Sequence, residues 1–380
     1  MKKKVIAAGH ICLDITPVFP GRKGKKIDEI LLPGKLVQVG SADVHTGGSV
    51  ANTGLAMKLL GVDVSLMGKI GKDIFGKLVL NILEKFDAQQ EMIIDKDEST
   101  AYSVILAMPE VDRIFLHNPG ANNSFCAGDI PQNKLEETAL LHFGYPPLMK
   151  AMYEKEGEEL KKLLLRAKEA GAATSLDMAA IDRETEAGRV NWEGILEKVI
   201  PYVDFFVPSV EELCFMLDPE RFVYWQKKAG SRDITECLDL EKDVKPLAEQ
   251  CMDFGAKIVL IKCGAPGIYY KTADKRRLLN VGRKVELNLD EWADREGFEK
   301  SYVPDKVLSG TGAGDTSIAA FLTAMLEGYP LNKAMQLATA AGASCVAAYD
   351  AIGGLKSFEE LEMKIQNGWR KGEGYVSKSK

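Results

Sequence analysis

The chain has 380 residues, 46% hydrophobic and 27% charged, with a net charge of −6. That charge excludes a field able to gather nucleic acid or an anionic membrane surface. No stretch approaches the ~20 consecutive apolar residues of a membrane-spanning helix, and seven scattered cysteines, none spaced C-x-x-C, argue against a disulfide frame or a zinc finger and for reduced thiols in a cytoplasm.

Lys2 to Lys4 precede a short apolar run, Val5 to Ala8, too brief for a secretory signal and predicted to be a buried first strand ending at Gly9. Asp14 follows shortly, near the carboxyl end of that strand, where open α/β sheets meet their ligands; a turn-capping aspartate is an equally good reading of the residue alone. From Thr16 to Thr46, Pro17, Pro20, Gly21, Gly24, Pro33 and Gly34 punctuate short alternating pieces such as Lys35 to Val39, which predicts hairpin material apart from the main sheet. Arg22 to Lys26 reads as a solvated basic loop.

Gly47 and Gly48 open a helix of small residues that ends at Gly61, with Asn52 in its first turns offering an amide to hydroxyls. The next glycine loop, Gly71 to Leu78, has G-x-x-x-x-G-K spacing but Leu78 in place of the Ser or Thr that would hold Mg²⁺. It runs into an apolar stripe (Phe75, Leu78, Val79, Ile82, Leu83) and reads as core. Thr100 to Met108 and Asp112 to Leu116 are predicted strands of a second hairpin turning at Pro109-Glu110, and His142 reads as a satisfied core histidine.

Beyond Glu158 the pattern alternates. Helices near Glu158–Ala170, Glu193–Val199 and Val244–Phe254 separate strands at Thr174–Asp177, Val203–Val207 and Lys257–Ile261, which implies a parallel sheet covered by helices, with Asp177 at its ligand edge. Ser209 and Glu212 make a capping box at the start of another helix. Asp218 to Lys242 and Arg276 to Pro304 are charged segments of weak periodicity, expected as surface excursions. There is no internal repeat, and residues 1–380 are expected to form one domain.

The most informative stretch is Leu308 to Asp315. Gly310, Gly312 and Gly314 alternate in a loop that feeds a helix carrying Ile318, Phe321, Leu322 and Met325. Such a loop leaves backbone N–H groups and the positive end of a helix dipole facing open space, an arrangement that attracts phosphate. A carboxylate there repels phosphate unless it has a task. Asp315 is the candidate general base for a substrate hydroxyl, with the N–H groups of Gly312, Ala313 and Gly314 stabilising the transferring phosphoryl. An ordinary first-turn aspartate is the competing reading.

Gly312-Ala313-Gly314-Asp315 resembles the C-terminal signature of the ribokinase-like (PfkB) carbohydrate kinases, Asp-Thr-x-Gly-Ala-Gly-Asp. Gly47, Gly48 and Asn52 are similar to the family's N-terminal Gly-Gly-x-x-x-Asn. The resemblance spans nearly the whole chain. It implies a ribokinase-like α/β fold, a central mostly parallel sheet flanked by helices, with a small β lid approximately at 12–46 and 98–120. It implies ATP-dependent phosphorylation of a small sugar, with Asp14, Gly47, Gly48 and Asn52 holding the sugar and Arg113 near it. Glu212 matches the family's Pro-Asn-x-x-Glu, whose Glu organises Mg²⁺ through water, while Ser209 replaces the Asn. Gly264 and Gly267 resemble the Gly-x-x-Gly turn beneath the nucleotide, and Thr339 stands where many members have Asn. Ser309 and Gly310 occupy the positions of the Asp and Thr that help to form the family's monovalent-cation site, so that cation is not carried over. A homodimer through paired lids is a further implication. A nucleoside kinase of the same fold, a nucleotide hydrolase, and a non-catalytic sugar- or nucleotide-binding protein remain as alternatives.

Overall fold

The computed structural model describes residues 3–20, 27–107 and 114–375. The basic loop Arg22 to Lys26, the Pro109-Glu110 turn and Arg113 lie outside them.

Lys4–Gly9 is a strand because Val5, Ile6, Ala7 and Ala8 are apolar on both faces, as a strand covered on two sides requires. Successive residues point to opposite faces. Val5 and Ala7 accordingly join one core while Ile6 and Ala8 join the other, and Ile258 and Leu260 divide from Val259 and Ile261 in the same way. The eight strands run in the order Glu296–Lys300, Gly267–Thr272, Ile258–Lys262, Phe205–Phe206, Ala173–Asp177, Leu140–Gly144, Lys4–Gly9 and Asp63–Met67. The six from Ile258–Lys262 to Asp63–Met67 are parallel, and the two at the other edge are antiparallel. One core holds the helices Ser49–Leu59, Ala313–Leu326 and Leu331–Cys345; the other holds Glu158–Glu169, Trp192–Val199, Val210–Leu217 and Lys245–Asp253.

The last two helices of the first layer pack closely because their facing residues are small. A Cβ on Gly342 would lie 2.3 Å from Ser317 Oγ. Among the described residues no helix is long and apolar enough to cross a membrane.

A second sheet of four strands, Ala42–Gly47, Cys12–Pro17, Tyr102–Leu106 and Ile114–Asn118, stands apart and forms the expected lid. Its register sets Asp14 beside Ser103, and Ser103 beside His117, in one row. Asp14 is thus a lid-strand residue, not a loop residue after the first strand. The predicted alternating piece at Lys35 to Val39 forms no strand; its place in the sheet is taken by Ala42–Gly47, which pairs with Cys12–Pro17.

Three other expectations need correction or qualification. The Gly71 to Leu78 loop leads into the helix Ile74–Glu84, capped by Asp73, which buries Val79 and Leu83 but leaves Leu78 exposed, because the stripe is narrower than its apolar composition suggests. The segment Asp218 to Lys242 contains the helix Pro219–Ala229, whose Trp225 is buried in the second core. Arg276 to Pro304 supplies the edge strand Glu296–Lys300 and Trp292, which packs edge-on against Phe321 in the helix behind the glycine loop. Both segments are anchored by a tryptophan that period counting cannot see.

Candidate active site

The site lies where the lid meets the carboxyl ends of the parallel strands, in a cavity of about 720 Å³. Asp14, Gly48, Asn52, Gly312 and Asp315 all line it. Residues from both ends of the chain meet there because the helices Ser49–Leu59 and Ala313–Leu326 lie side by side in the same layer.

Gly312 is the N-cap of its helix and sits in the left-handed region at φ 73°, where a Cβ would lie 2.3 Å from that of Ala351. No side chain caps this helix, so its first-turn N–H groups have no side-chain acceptor. Asp315 is 4% exposed yet lines the cavity. Its Oδ2 accepts from Asn52 Nδ2 at 3.1 Å and its Oδ1 from Thr53 Oγ1 at 3.1 Å. The Tyr145 hydroxyl donates to both oxygens at 2.8 Å. Asn52 therefore reaches the candidate base directly, which its placement in the sugar set did not anticipate.

Tyr145 itself was not foreseen. It follows the strand Leu140–Gly144 with φ 66°, a conformation uncommon outside glycine, which aims its ring into the cavity. Burial, and after it the Asp315 charge, hold its phenol well above the ordinary range, so it stays a donor. The run Gly144-Tyr145-Pro146-Pro147 at a strand end was the available signal.

Behind Gly314 a buried ion pair joins Lys262 Nζ to Asp177 Oδ1 at 2.6 Å. Burial pushes the Asp177 carboxyl up to about 7, against the pull of Lys262 and with Glu212 and Asp315 adding to it. Lys262 is held above its usual value: burial opposes its charge, but Asp177, Glu212 and Asp315 outweigh that. The lysine is thus the cation among three carboxylates. Its Nζ lies 3.8 Å from where a Cβ on Gly314 would stand. It closes the Ile258–Lys262 strand, one residue beyond the predicted end, and was missed for that reason.

Glu212 and Ser209 form the predicted capping box, with Ser209 N–H donating to Glu212 Oε2 at 2.7 Å and Glu212 N–H to Ser209 Oγ at 3.2 Å. Gly264 and Gly267 make the turn between Ile258–Lys262 and Gly267–Thr272 with φ 62° and 142°. Ser209, Glu212, Gly264 and Gly267 do not line the cavity. Asp177 Oδ2 is buried without a hydrogen-bond partner among the described residues. A carboxylate oxygen without a partner, with the Glu212 charge acting on the same group, suits a hard cation such as Mg²⁺.

On the lid side, a Cβ on Gly47 would fall 2.1 Å from Asp14 Oδ2, and one on Gly48, at φ 86°, 2.5 Å from His10 O. The two glycines let the helix start pass against Asp14 and His10. Burial raises the Asp14 carboxyl, opposed by its bond from Cys12 and by His45. His142 is fully buried between Ser49 Oγ at 3.2 Å and Ser175 Oγ at 3.0 Å, the core histidine expected. The Ser309 hydroxyl turns to Thr311 Oγ1, and that of Thr339 to carbonyls of its own helix.

Comparisons with known proteins bear on the family and the fold. The chain is 22% identical over 301 residues to a protein described as an uncharacterized sugar kinase of Archaeoglobus fulgidus, covering 79% of this chain and 98% of that one. It is 25% identical over 371 residues to a 5-dehydro-2-deoxygluconokinase of Clostridium perfringens, covering 96% and 93%. The structure of Arabidopsis thaliana ribokinase complexed with ribose and ATP superposes with a TM-score of 0.67 at 18% identity, covering 96% of this chain and 98% of that one. A model of the family described as pfkB family carbohydrate kinase matches residues 3–357. The chain belongs to that family, whose members are phosphotransferases with an alcohol group as acceptor.

Proposed function

We propose that this protein transfers the γ-phosphoryl group of MgATP to a hydroxyl of a small carbohydrate. The observation that carries the reading is Asp315, a carboxylate on the cavity wall beside an uncapped glycine-rich helix start. Asp14, Gly47, Gly48 and Asn52 would hold the sugar.

In the reaction Asp315 takes the proton of the acceptor hydroxyl as its oxygen bonds to the γ-phosphorus. The bond from that phosphorus to the bridging oxygen breaks, and ADP leaves with the electron pair. The N–H groups of Gly312, Ala313 and Gly314, with Lys262 behind them, face the charge that develops on the phosphoryl oxygens. Mg²⁺, held through water by Glu212 with Asp177, would neutralise the nucleotide phosphates. Ser209, Gly264 and Gly267 shape the nucleotide side. The lid excludes water from the cavity, which limits hydrolysis of ATP. Val44, Phe115 and Leu116 on the lid are more than a third exposed, which supports pairing of two lids in a homodimer.

Asp14, Asp182 and Asp315 line the cavity, carboxylates able to accept from the hydroxyls of an acceptor. A panel of pentoses, hexoses, sugar acids and nucleosides, scored by ADP release, tests the assignment. Turnover with a sugar or sugar acid is expected; ATP consumption independent of any acceptor, or none with any, would refute it.

A further inference from the structure

We propose that His10, Cys12 and His117 form a binding site for a soft divalent cation of the zinc type on the wall of the cavity, with its remaining coordination position open to that cavity. His10 follows the first strand of the main sheet and Cys12 begins the lid, so two residues of an extended segment project to the same side. His117 comes from the lid strand Ile114–Asn118. One ligand atom from each of the three lies within 4.8 Å of the others.

The spacing is that of a chelate. His10 Nε2 and His117 Nε2 stand 3.2 Å apart. Two nitrogens about 2.0–2.1 Å from one tetrahedral zinc are separated by roughly 3.3 Å. His117 Nδ1 lies 3.1 Å from Ser103 Oγ, so a hydroxyl accepting the Nδ1 proton leaves the Nε2 lone pair directed at His10. Such an outer partner, fixing tautomer and ring, is the usual support of a metal-bound imidazole. The Cys12 thiol donates to Asp14 Oδ1 at 3.3 Å, so a carboxylate stands next to the proton that ligation of the sulfur displaces.

Hydrogen bonding among these groups does not account for the arrangement, since His10 Nδ1 is buried without a partner among the described residues. Two imidazoles and a thiol select zinc or cobalt over magnesium. Three protein ligands with one open position make an exchangeable site, not a closed structural one. All three residues line the same cavity as Asp14 and Asp315. A bound ion with its water would take space that an acceptor needs there. The ion therefore competes with the acceptor, a consequence that rests on the kinase reading, whereas the site itself does not.

The experiment uses the full, reduced, chelator-stripped protein titrated with Co²⁺. One equivalent should bind per chain, with a thiolate-to-cobalt charge-transfer band in the near ultraviolet and the intense visible bands of a tetrahedral ion. One equivalent of Zn²⁺ should abolish both. Cys12→Ser should remove the charge-transfer band, and His117→Ala should weaken binding by at least about tenfold. Should either variant lose its near-ultraviolet circular dichroism, Ser103→Ala replaces it and should also weaken binding. Absence of the band at one equivalent, or a band that survives Cys12→Ser because Cys126 or Cys237 supplies it, overturns the site. Zn²⁺ should raise the KM of the acceptor and leave that of ATP; equal inhibition of wild type and Cys12→Ser overturns the competition. The titration needs no turnover, so its failure is separate from failure of the acceptor panel.

Discussion

The hydroxyl of Tyr145 is hydrogen-bonded to both carboxylate oxygens of Asp315, at 2.8 Å each. With Asn52 on one oxygen and Thr53 on the other, the roughly four lone-pair sites of the carboxylate are all engaged. An acceptor alcohol can reach the base only by displacing a donor. Tyr145, whose single proton is shared between two oxygens, is the one that yields most readily.

Tyr145→Phe removes that competitor. A hydrogen bond to a charged group contributes about 1.5–3 kcal/mol, of which a shared proton retains only part. The acceptor KM is expected to fall on the order of tenfold, with kcat held within a few-fold. Steady-state kinetics with saturating MgATP decides it. A rise in acceptor KM would instead make Tyr145 a sugar ligand.

Asp315→Asn keeps the shape of the site and removes its base. General-base catalysis contributes about 10²–10⁴ in rate, and kcat should fall by that factor. Nucleotide affinity, measured by calorimetry, should change little. Turnover near that of the wild type would end the proposed mechanism.

Much of this site was legible in the sequence because its glycines carry a backbone signal. Gly312 is needed at φ 73°, and Gly47 where the Asp14 carboxylate passes. Such constraints show in local spacing. Tyr145 and Lys262 were harder to read, since each stands at or just past a strand end and acquires its role from a partner more than 80 residues away. The lid was visible as punctuation, but its register was not. Proline and glycine mark where a hairpin can turn, but not which segment pairs, and it is Ala42–Gly47, not Lys35 to Val39, that pairs with Cys12–Pro17.

Gly47→Ala tests the sugar side alone. The added methyl would fall 2.1 Å from Asp14 Oδ2 and 2.5 Å from its Cγ, so the carboxylate must move. Acceptor KM should rise by about 10- to 100-fold, the loss of one to two charged hydrogen bonds, with the KM of ATP unchanged. An equal effect on both substrates would show that the glycine serves folding and not the Asp14 position.

Lys262→Met breaks the buried pair and leaves Asp177 without its cation. Loss of one partner of such a pair costs about 3–5 kcal/mol, and urea unfolding should show a shift of that size. The double variant Lys262→Met, Asp177→Asn should recover most of the stability. It should not recover kcat, because the charge facing the phosphoryl is still missing. Recovery of both together would make the lysine purely structural.

His142 gives a pH dependence whose sign follows from its burial. Burial, and then the Lys262 charge, lower its pKa to about 3, whereas in the unfolded chain it is about 6.5. Between those values the unfolded chain binds a proton that the folded one does not, so stability rises with pH across this window. The contribution is fully present above about pH 6.5 and is lost as pH falls toward 3. From pH 7.5 to 5.5 it amounts to about 1.4 kcal/mol. His10 and His117, also lowered by burial, contribute in the same direction. The informative comparison is therefore His142→Gln, which keeps an amide between Ser49 and Ser175 but cannot titrate. Urea unfolding at the two pH values should show the loss in this variant smaller than in wild type by about that amount. An equal loss in both proteins would mean that His142 is protonated in the folded state.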